Sequence, residues 1–176
     1  MDDADLVTAF RNGNREAFAE LVRRYSRHIT LTILRIVGDL EDARDLSQEV
    51  FLKAYTGLPR FFGISSFKTW LYTIALNHAR DHVRKRRFTH AEQNPDTLPT
   101  PNELPGEQWE PVLLTQKIRE EIEKLPEKQR LTLQLRIFDG LEYSEIARIL
   151  GGTAGGARGN FFQAIKTLRE KLKEIA

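Results

Sequence analysis

The sequence predicts an all-α protein with two helical domains joined by a flexible, acidic, proline-rich linker. Apolar residues recur at three- and four-residue steps on both sides of residues 88–111, and no segment alternates as a half-buried strand would. Residues 88–111 hold five of the seven prolines, five acidic residues and no Lys or Arg. Because proline removes a backbone donor and disfavours helix in its predecessor, this segment is predicted to be a linker. We therefore predict domains at residues 1–87 and 112–176.

Four helices are predicted in the first domain. An aspartate at position 2 or 3 can cap the first helix, and Gly38 is expected to end the second. The apolar stripe of the second helix is Phe18, Leu21, Val22, Tyr25, Ile29, Ile33 and Val37. The inward side chains of the fourth are Phe67, Trp70, Leu71 and Ile74. The predicted helices cover about residues 3–12, 15–37, 40–57 and 66–87.

Four more helices are predicted in the second domain. Pro111 suits the first turn of a helix over residues 112–124, and Pro126 opens the next helix, which ends at Asp139 and Gly140. A short helix over residues 143–150 and a long helix over residues 154–174 complete this domain.

The segment "YSEIARILGGTAGGARGNFFQAI" has the pattern of a helix-turn-helix. Ala147 is small where two helices approach closely, and Gly151, four residues later, fits a turn that needs positive φ. The predicted buried stripe of the second helix is Ala157, Phe161, Ile165, Leu168, Leu172 and Ile175. Its other face holds Arg158, Phe162, Gln163, Lys166, Arg169 and Lys173. Such a face can enter the DNA major groove, although an ordinary helical hairpin with a solvated basic face is the alternative.

The fourth predicted helix ends in a cluster of cations that follows several aromatic residues. Arg80, Arg84 and Arg87 recur at helical spacing, with Lys85 and Arg86 beside them. The upstream aromatic residues are Phe61, Phe62, Phe67, Trp70 and Tyr72. Cations that neutralise phosphates, beside rings that stack on unpaired bases, are typical of single-strand binding. The alternative places Phe67, Trp70 and Tyr72 mainly in the core, which we favour for Trp70.

The third predicted helix carries Asp42, Asp45 and Glu49 on one stripe, with Gln48 alongside. An exposed acidic stripe usually reflects solubility alone. Its functional interpretation is a docking face for a basic partner.

Three blocks of the sequence together point to a known family. These blocks are "DLSQEVFLKAY", "SSFKTWLYTIALNHARDHVRKRR" and "LPEKQRLTLQLRIFDGLEYSEIARILGGT". They resemble the extracytoplasmic-function (ECF) sigma factors of bacterial RNA polymerase, in order and at the family's spacing, over nearly the whole chain. The resemblance implies a cytoplasmic protein that binds polymerase core and directs promoter-specific initiation by recognising and melting promoter DNA. It also implies that the acidic linker threads toward the polymerase cleft, where a segment without cations can lie along the RNA path.

The resemblance implies roles for individual residues. The helix over residues 40–57 would dock the clamp helices of the largest polymerase subunit through Asp42, Asp45, Gln48, Glu49 and Lys53. The minus-ten element would be opened and read by Phe62, Ser65, Ser66, Lys68, Asn77, Arg80, Arg84 and Arg87. The minus-thirty-five element would be read by Thr153, Arg158, Asn160, Phe162, Gln163 and Lys166. The flap of the second-largest subunit is another implied partner, and anti-sigma factors are common partners in the family.

Two other classes of function fit the sequence less well. A self-sufficient helix-turn-helix regulator usually needs a dimer face or effector pocket and has no need of the first two blocks. An enzyme would need a nucleophile paired with a base, and the scattered Ser, His and Asp show no such arrangement. His78 and His82 lack the central Glu of a zincin and a third ligand, so we expect them to be polar residues on a DNA-facing helix. We predict no enzymatic activity, no cofactor and no metal.

Five of the eleven glycines fall within "GGTAGGARGN". A Walker loop needs Lys and Ser or Thr after its second glycine, and a dinucleotide fingerprint needs glycines two apart, so neither fits. The family usually has Gly-Thr-Val here, and Gly156 and Ala157 replace its Thr and Val. Thr153 can cap the helix, but the reciprocal Glu or Gln of a capping box is absent. We expect a frayed first turn that orders on DNA.

Composition bears on compartment and membrane association. No apolar run approaches the roughly 20 residues that a membrane span needs. The acidic start, "MDDADL", argues against a secretory signal, and the absence of cysteine excludes disulfides and thiolate metal sites. We expect a cytoplasmic protein with no membrane insertion.

Overall fold

The computed structural model of the protein describes residues 1–89 and 116–173, and the side chains of residues 87–89 and 116–117 are outside that description. The chain divides into two compact units, Met1–Pro99 and Thr100–Ala176. The described residues form helices and turns, without a strand. The linker predicted at residues 88–111 lies outside the described residues except at its first two positions, which continue a helix.

The first unit contains the four predicted helices and a short 3₁₀ turn. The helices are α1 (Asp3–Arg11), α2 (Arg15–Val37), α3 (Leu40–Gly57) and α4 (Phe67–Thr89), and the turn is Leu58–Arg60. The helix ends agree with the predictions to within a residue or two. Helix α4 runs two residues beyond the predicted end at Arg87.

Local capping signals explain where these helices begin and end. The Asp5 N–H donates to Asp2 Oδ1 (2.8 Å) and the Asp2 N–H donates to Asp5 Oδ2 (3.1 Å), which closes a capping box at α1. Gly38 ends α2 in the left-handed region, with φ of 77°. Asp39 then caps α3 by accepting from the Asp42 N–H at 2.9 Å. Each of the two aspartate N-caps contributes about 1 kcal/mol to helix stability.

Helices α2, α3 and α4 enclose the core of the first unit, and α1 packs on α2. The side chains with no exposed surface are Leu21, Ile29, Ile33, Ala43, Val50, Ala54, Leu58, Leu71, Ala75 and Ala79. Two members of the predicted α2 stripe, Val22 and Tyr25, are only half-buried. The Tyr25 hydroxyl reaches the Asp3 carboxylate on α1, so this side chain joins two helices at the surface.

The second unit contains α5 (Gln116–Glu123), α6 (Glu127–Ile137), α7 (Tyr143–Leu150) and α8 (Ala154–Lys173). Its core includes Ile122, Leu125, Leu133, Ala164 and Leu168. On α8, Ala157 and Leu168 are buried as predicted, whereas Phe161, Ile165 and Leu172 are half-buried and Ile175 lies outside the described residues. The buried Ala164 was not predicted, because a small residue between Gln163 and Ile165 gives little periodic signal. It lies where α8 packs against the rest of the unit.

None of the helices in the described part of the chain is both long enough and apolar enough to span a membrane.

Candidate nucleic-acid interface and docking face

The turn between α7 and α8 has the geometry that its glycines predict. Gly151 and Gly152 have φ of +74° and +141°, values that side-chain-bearing residues rarely adopt. Thr153 then caps α8, because its Oγ1 accepts from the Gly156 N–H at 3.0 Å. The cap predicted for Thr153 is therefore present, and the turn sets the start of α8 against α7.

Tyr143, at the start of α7, connects three helices of the second unit. The Arg136 guanidinium lies 4.9 Å from its ring centroid and the Arg158 guanidinium lies 6.0 Å from it. The Phe161 ring packs edge-on at 5.9 Å. Tyr143 was not predicted as a functional residue, since one aromatic residue after a turn is a weak signal in the sequence. The structure makes it a support for Arg158 at the start of α8.

The predicted DNA-facing side of α8 is largely exposed to solvent. Phe162 is 60% exposed, and Arg158, Gln163 and Lys166 are also exposed, whereas Asn160 is half-buried. Arginine and glutamine are the side chains that pair with guanine and adenine edges in the major groove. The exposed face thus combines base-reading groups with cations that can contact phosphates.

Gly159 gives a direct test of the glycine-rich helix start. A Cβ at this position would meet nothing within 4 Å, and its φ is not positive. We expect Gly159→Ala to stabilise the second unit by about 1 kcal/mol, measured by hydrogen exchange of the α8 amides. Gly152→Ala is the control and should destabilise the unit, because its φ of +141° strains any side chain. If Gly159→Ala destabilised the second unit, the expectation that this glycine weakens α8 relative to alanine would be contradicted.

In the first unit, the segment before α4 exposes two large apolar side chains. Phe62 is 87% exposed and Ile64 is 88% exposed. Phe61 instead packs on the half-buried Trp70, with ring centroids 4.9 Å apart. Tyr72 is 1% exposed and belongs to the core. Of the aromatic residues considered for stacking on bases, Phe62 is therefore the one whose ring faces solvent.

Several predicted DNA contacts around α4 already have structural roles. Ser66 caps α4, because its Oγ accepts from the Thr69 N–H at 3.1 Å, and Ser65 Oγ donates to the Ser66 carbonyl at 3.3 Å. Arg84 is exposed and forms an ion pair with Asp81 at 2.9 Å. The remaining predicted contacts on α4 are the exposed Asn77, the half-buried Lys68 and Arg80, and Arg87, whose side chain lies outside the description.

The seam between α3 and α4 pairs histidines with carboxylates. His82 Nε2 lies 3.0 Å from Asp42 Oδ2, and Arg86 lies 3.6 Å from the same carboxylate. His78 Nδ1 lies 3.5 Å from Glu49 Oε2. The packing of α4 on α3 turns both histidines toward α3, and the expectation that they are polar residues on a DNA-facing helix stays a prediction.

Burial lowers the pKa of His78, and the nearby Lys53 ammonium lowers it further. The His78 imidazole is therefore neutral at pH 7, and its contact with Glu49 is not an ion pair under those conditions. Within residues 1–89 and 116–173, no three His, Asp or Glu side chains gather closely enough to hold a metal ion.

The predicted acidic stripe of α3 is consequently divided. Asp42 is half-buried against α4, whereas Glu49 contacts His78 but keeps 58% of its side chain exposed, and Asp45, Gln48 and Lys53 are exposed as well. Beside these exposed residues, α2 and α3 form an open groove of about 540 Å³ lined by Phe18, Val22, Phe51, Leu52 and Tyr55 among others. Leu52 is 67% exposed at its edge. Leu52 was not predicted as a docking residue, because a leucine in an amphipathic helix is normally assigned to the core.

Comparison with known proteins identifies both units. The family model for sigma-70 region 2 matches residues 21–89, and the model for sigma-70 region 4 matches residues 115–168. The RNA polymerase sigma-H factor of Pseudomonas aeruginosa is 34% identical, over 98% of this chain and 95% of that protein. The ECF RNA polymerase sigma-E factor of Escherichia coli K12 is 32% identical, over 99% of this chain and 96% of that protein.

Solved structures support the fold. CnrH in complex with the cytosolic domain of CnrY matches with a TM-score of 0.75 and 24% identity, over 99% of each chain. The sigma factor RpoE of Bartonella quintana, in complex with the anti-sigma factor NepR, matches with a TM-score of 0.71 and 23% identity, over 89% of this chain and 96% of that one. With both sigma regions present in order and relatives that align along its whole length, the chain belongs to the ECF sigma factors, non-enzymatic proteins that direct RNA polymerase to start transcription at specific promoters.

Proposed function

We propose that the two units divide the work of promoter recognition. The first unit docks on the polymerase through α3 and opens the minus-ten element with the loop before α4. The second unit reads the minus-thirty-five element with α8. The observation that carries the proposal is the 87% exposure of Phe62 in the loop before α4, a helix with Lys68 near its start and a cluster of cations toward its end. An exposed aromatic ring can stack on an unpaired base, and cations along the helix that follows can bind the phosphates of the same strand.

The docking surface is proposed to combine the exposed polar residues of α3 with the neighbouring groove. Asp45, Gln48 and Lys53 supply charge and hydrogen bonds, and Leu52 supplies an apolar contact. An apolar groove rimmed by such groups fits a helical partner, which the family resemblance identifies as the clamp helices of the largest polymerase subunit. Asp42 acts mainly within the unit, through its contacts with His82 and Arg86 of α4, while Glu49, whose side chain is 58% exposed, is proposed to belong to the docking surface.

The second unit offers a further contact for polymerase. Ile137 and Phe138, at the end of α6, are 56% and 40% exposed. These two exposed apolar side chains precede the proposed DNA-reading residues of α8 in the chain. We assign to them the contact with the flap of the second-largest polymerase subunit. An anti-sigma factor stays a proposed partner, and the protein is proposed to act in the cytoplasm, where the polymerase is.

The docking proposal predicts a specific effect of charge reversal on α3. Asp45→Lys is expected to weaken binding to purified core polymerase by at least about tenfold, equivalent to about 1.4 kcal/mol. Glu41→Lys is the matched control, because Glu41 is also exposed on α3 but lies outside the proposed surface. Binding is measured by titration of the full chain with core enzyme, and promoter-dependent transcription should fall in parallel. Equal losses of affinity for the two variants would mean that net charge causes the effect. That result would contradict docking through α3.

A further inference from the structure

Tyr143, at the start of α7, is the centre of a chain of side-chain contacts that runs from α6 to α8. On the α6 side, the Arg136 guanidinium lies 4.9 Å from the centroid of its ring. On the α8 side, Arg158 lies 6.0 Å from the same centroid, and the Phe161 ring packs edge-on at 5.9 Å. Tyr143 itself is half-buried and belongs neither to the predicted DNA contacts nor to the docking face. Its ring therefore connects the body of the unit to the residues proposed to read DNA.

Polar contacts fix Arg136 on the α6 side of this ring. Arg136 Nη1 donates to the Leu141 carbonyl and to Glu142 Oε1, both at 2.9 Å. The Glu142 N–H in turn donates to Glu145 Oε2 at 2.8 Å, across the start of α7. Because the Glu142 carboxylate balances the charge of Arg136, a second guanidinium can approach the same ring with less repulsion. The α6 side of the contact chain is thus anchored by a backbone carbonyl and a carboxylate.

The α8 side of the ring carries fewer restraints. Arg158 is exposed, and among the residues that the structure describes its guanidinium forms no ion pair. A free arginine side chain samples many rotamers and loses that freedom when it binds, so the cation–π contact with Tyr143 restricts it in advance. Phe161 packs edge-on against Phe162, with centroids 6.2 Å apart, and Phe162 is 60% exposed. The same ring therefore supports two exposed side chains of α8.

We propose that Tyr143 is a positioning residue for promoter reading, whose ring orients Arg158 toward a base edge and supports Phe162 beside it without touching a base itself. The inference rests on the proposed function, because it needs Arg158 to read the minus-thirty-five element. Arg158 and Phe162 are four residues apart, about one turn of α8, so one ring can act on both. Sequence discrimination then depends on α7 as well as on the helix that enters the groove.

The test is a double-mutant cycle between Tyr143 and Arg158, in holoenzyme assembled from the full chain and core polymerase. Affinity is measured for a promoter that wild-type holoenzyme transcribes and for the same promoter with a scrambled minus-thirty-five element. Tyr143→Leu is expected to weaken binding to the transcribed promoter by about two- to fivefold, the usual effect of one exposed cation–π contact, and to leave the scrambled promoter unchanged. In the Arg158→Ala background this loss should largely disappear, because the main side chain that the ring orients is gone.

Two controls distinguish positioning from other roles of Tyr143. Tyr143→Phe keeps the ring and should retain both affinity and discrimination. In the Arg169→Ala background, Tyr143→Leu should keep its full effect, because Arg169 lies about three turns beyond Arg158 on α8. Hydrogen exchange of the α7 and α8 amides shows whether the unit stays folded. If Tyr143→Leu lowers that protection, Tyr143→Met, with a flexible side chain that fills irregular gaps, replaces it in the cycle.

The outcomes separate this inference from the proposed function. If Arg158→Ala weakens binding to the two promoters equally, Arg158 does not read the minus-thirty-five element, and the positioning role fails with that assignment. If Arg158→Ala acts on the transcribed promoter alone, yet Tyr143→Leu costs as much in its background as in wild type, only the positioning role is overturned. Equal losses for Tyr143→Phe and Tyr143→Leu on both promoters would assign the Tyr143 hydroxyl to a phosphate, which also overturns it.

Discussion

Ile146→Ala is expected to unfold the second unit at temperatures where the rest of the protein remains folded. Ile146 lies on α7 with no exposed surface. Truncating such a buried isoleucine costs about 2–5 kcal/mol, through lost burial and the cavity left behind. A helical unit of this size has a small core and therefore a small free energy of unfolding. The cost of the truncation approaches that whole free energy. Promoter recognition by α8 should be lost with it.

Residue-resolved hydrogen exchange on the full chain measures this effect. Protection of the α6, α7 and α8 amides should collapse in the variant, whereas the α2 and α3 amides should keep theirs. Ile137→Ala is the matched control, because Ile137 is 56% exposed in the same unit and its truncation should cost less than about 0.5 kcal/mol. Similar losses for the two isoleucines would contradict the assignment of Ile146 to the core.

Arg158→Ala is expected to weaken holoenzyme binding to a cognate promoter by about 1–3 kcal/mol, the usual value of one arginine contact to a base edge. Arg158 is exposed near the start of α8 and is supported by the Tyr143 ring. Arg169 lies eleven residues further along, on the same face of α8, and is also exposed. Recognition helices contact base edges mainly through their N-terminal residues, so Arg169→Ala should weaken promoter binding much less than Arg158→Ala.

The measurement compares a cognate promoter with one whose minus-thirty-five element is scrambled. Loss of a base contact should reduce affinity for the cognate promoter and leave the scrambled one nearly unchanged. An equal loss on both would show that Arg158 binds phosphate. A larger loss for Arg169→Ala than for Arg158→Ala would reverse the proposed orientation of α8 on DNA.

Helix ends proved to be the most predictable part of the fold. The helix beginnings at Asp2 and Asp39, the end of α2 at Gly38 and the α7–α8 turn at Gly151 all depend on signals within a few residues of sequence. Capping hydrogen bonds and positive φ are local properties, so they can be deduced without knowledge of packing. The frayed first turn of α8 stays a prediction, which the Gly159 variant addresses.

Candidate residues were harder to rank, because exposure depends on neighbours that are distant in sequence. Asp42 and Glu49 belong to the predicted docking stripe, yet α4 brings His82 and His78 against them from about 30 to 40 residues away. Ser66 was proposed as a DNA contact, and its hydroxyl also caps α4. Helical periodicity assigns a residue to a face but does not say which other helix covers that face.

The sequence by itself determined the two helical domains, the helix-turn-helix and the ECF sigma family, since these follow from local patterns and from blocks in a fixed order. The tertiary structure decided which polar and aromatic side chains are available to partners. It placed Asp42 of α3 against α4, left Phe62 exposed, and brought Arg11 and Arg15 beside Phe62 and Tyr55 in one groove. The physical reason is that packing between helices creates contacts among residues whose separation in the chain carries no periodic signal.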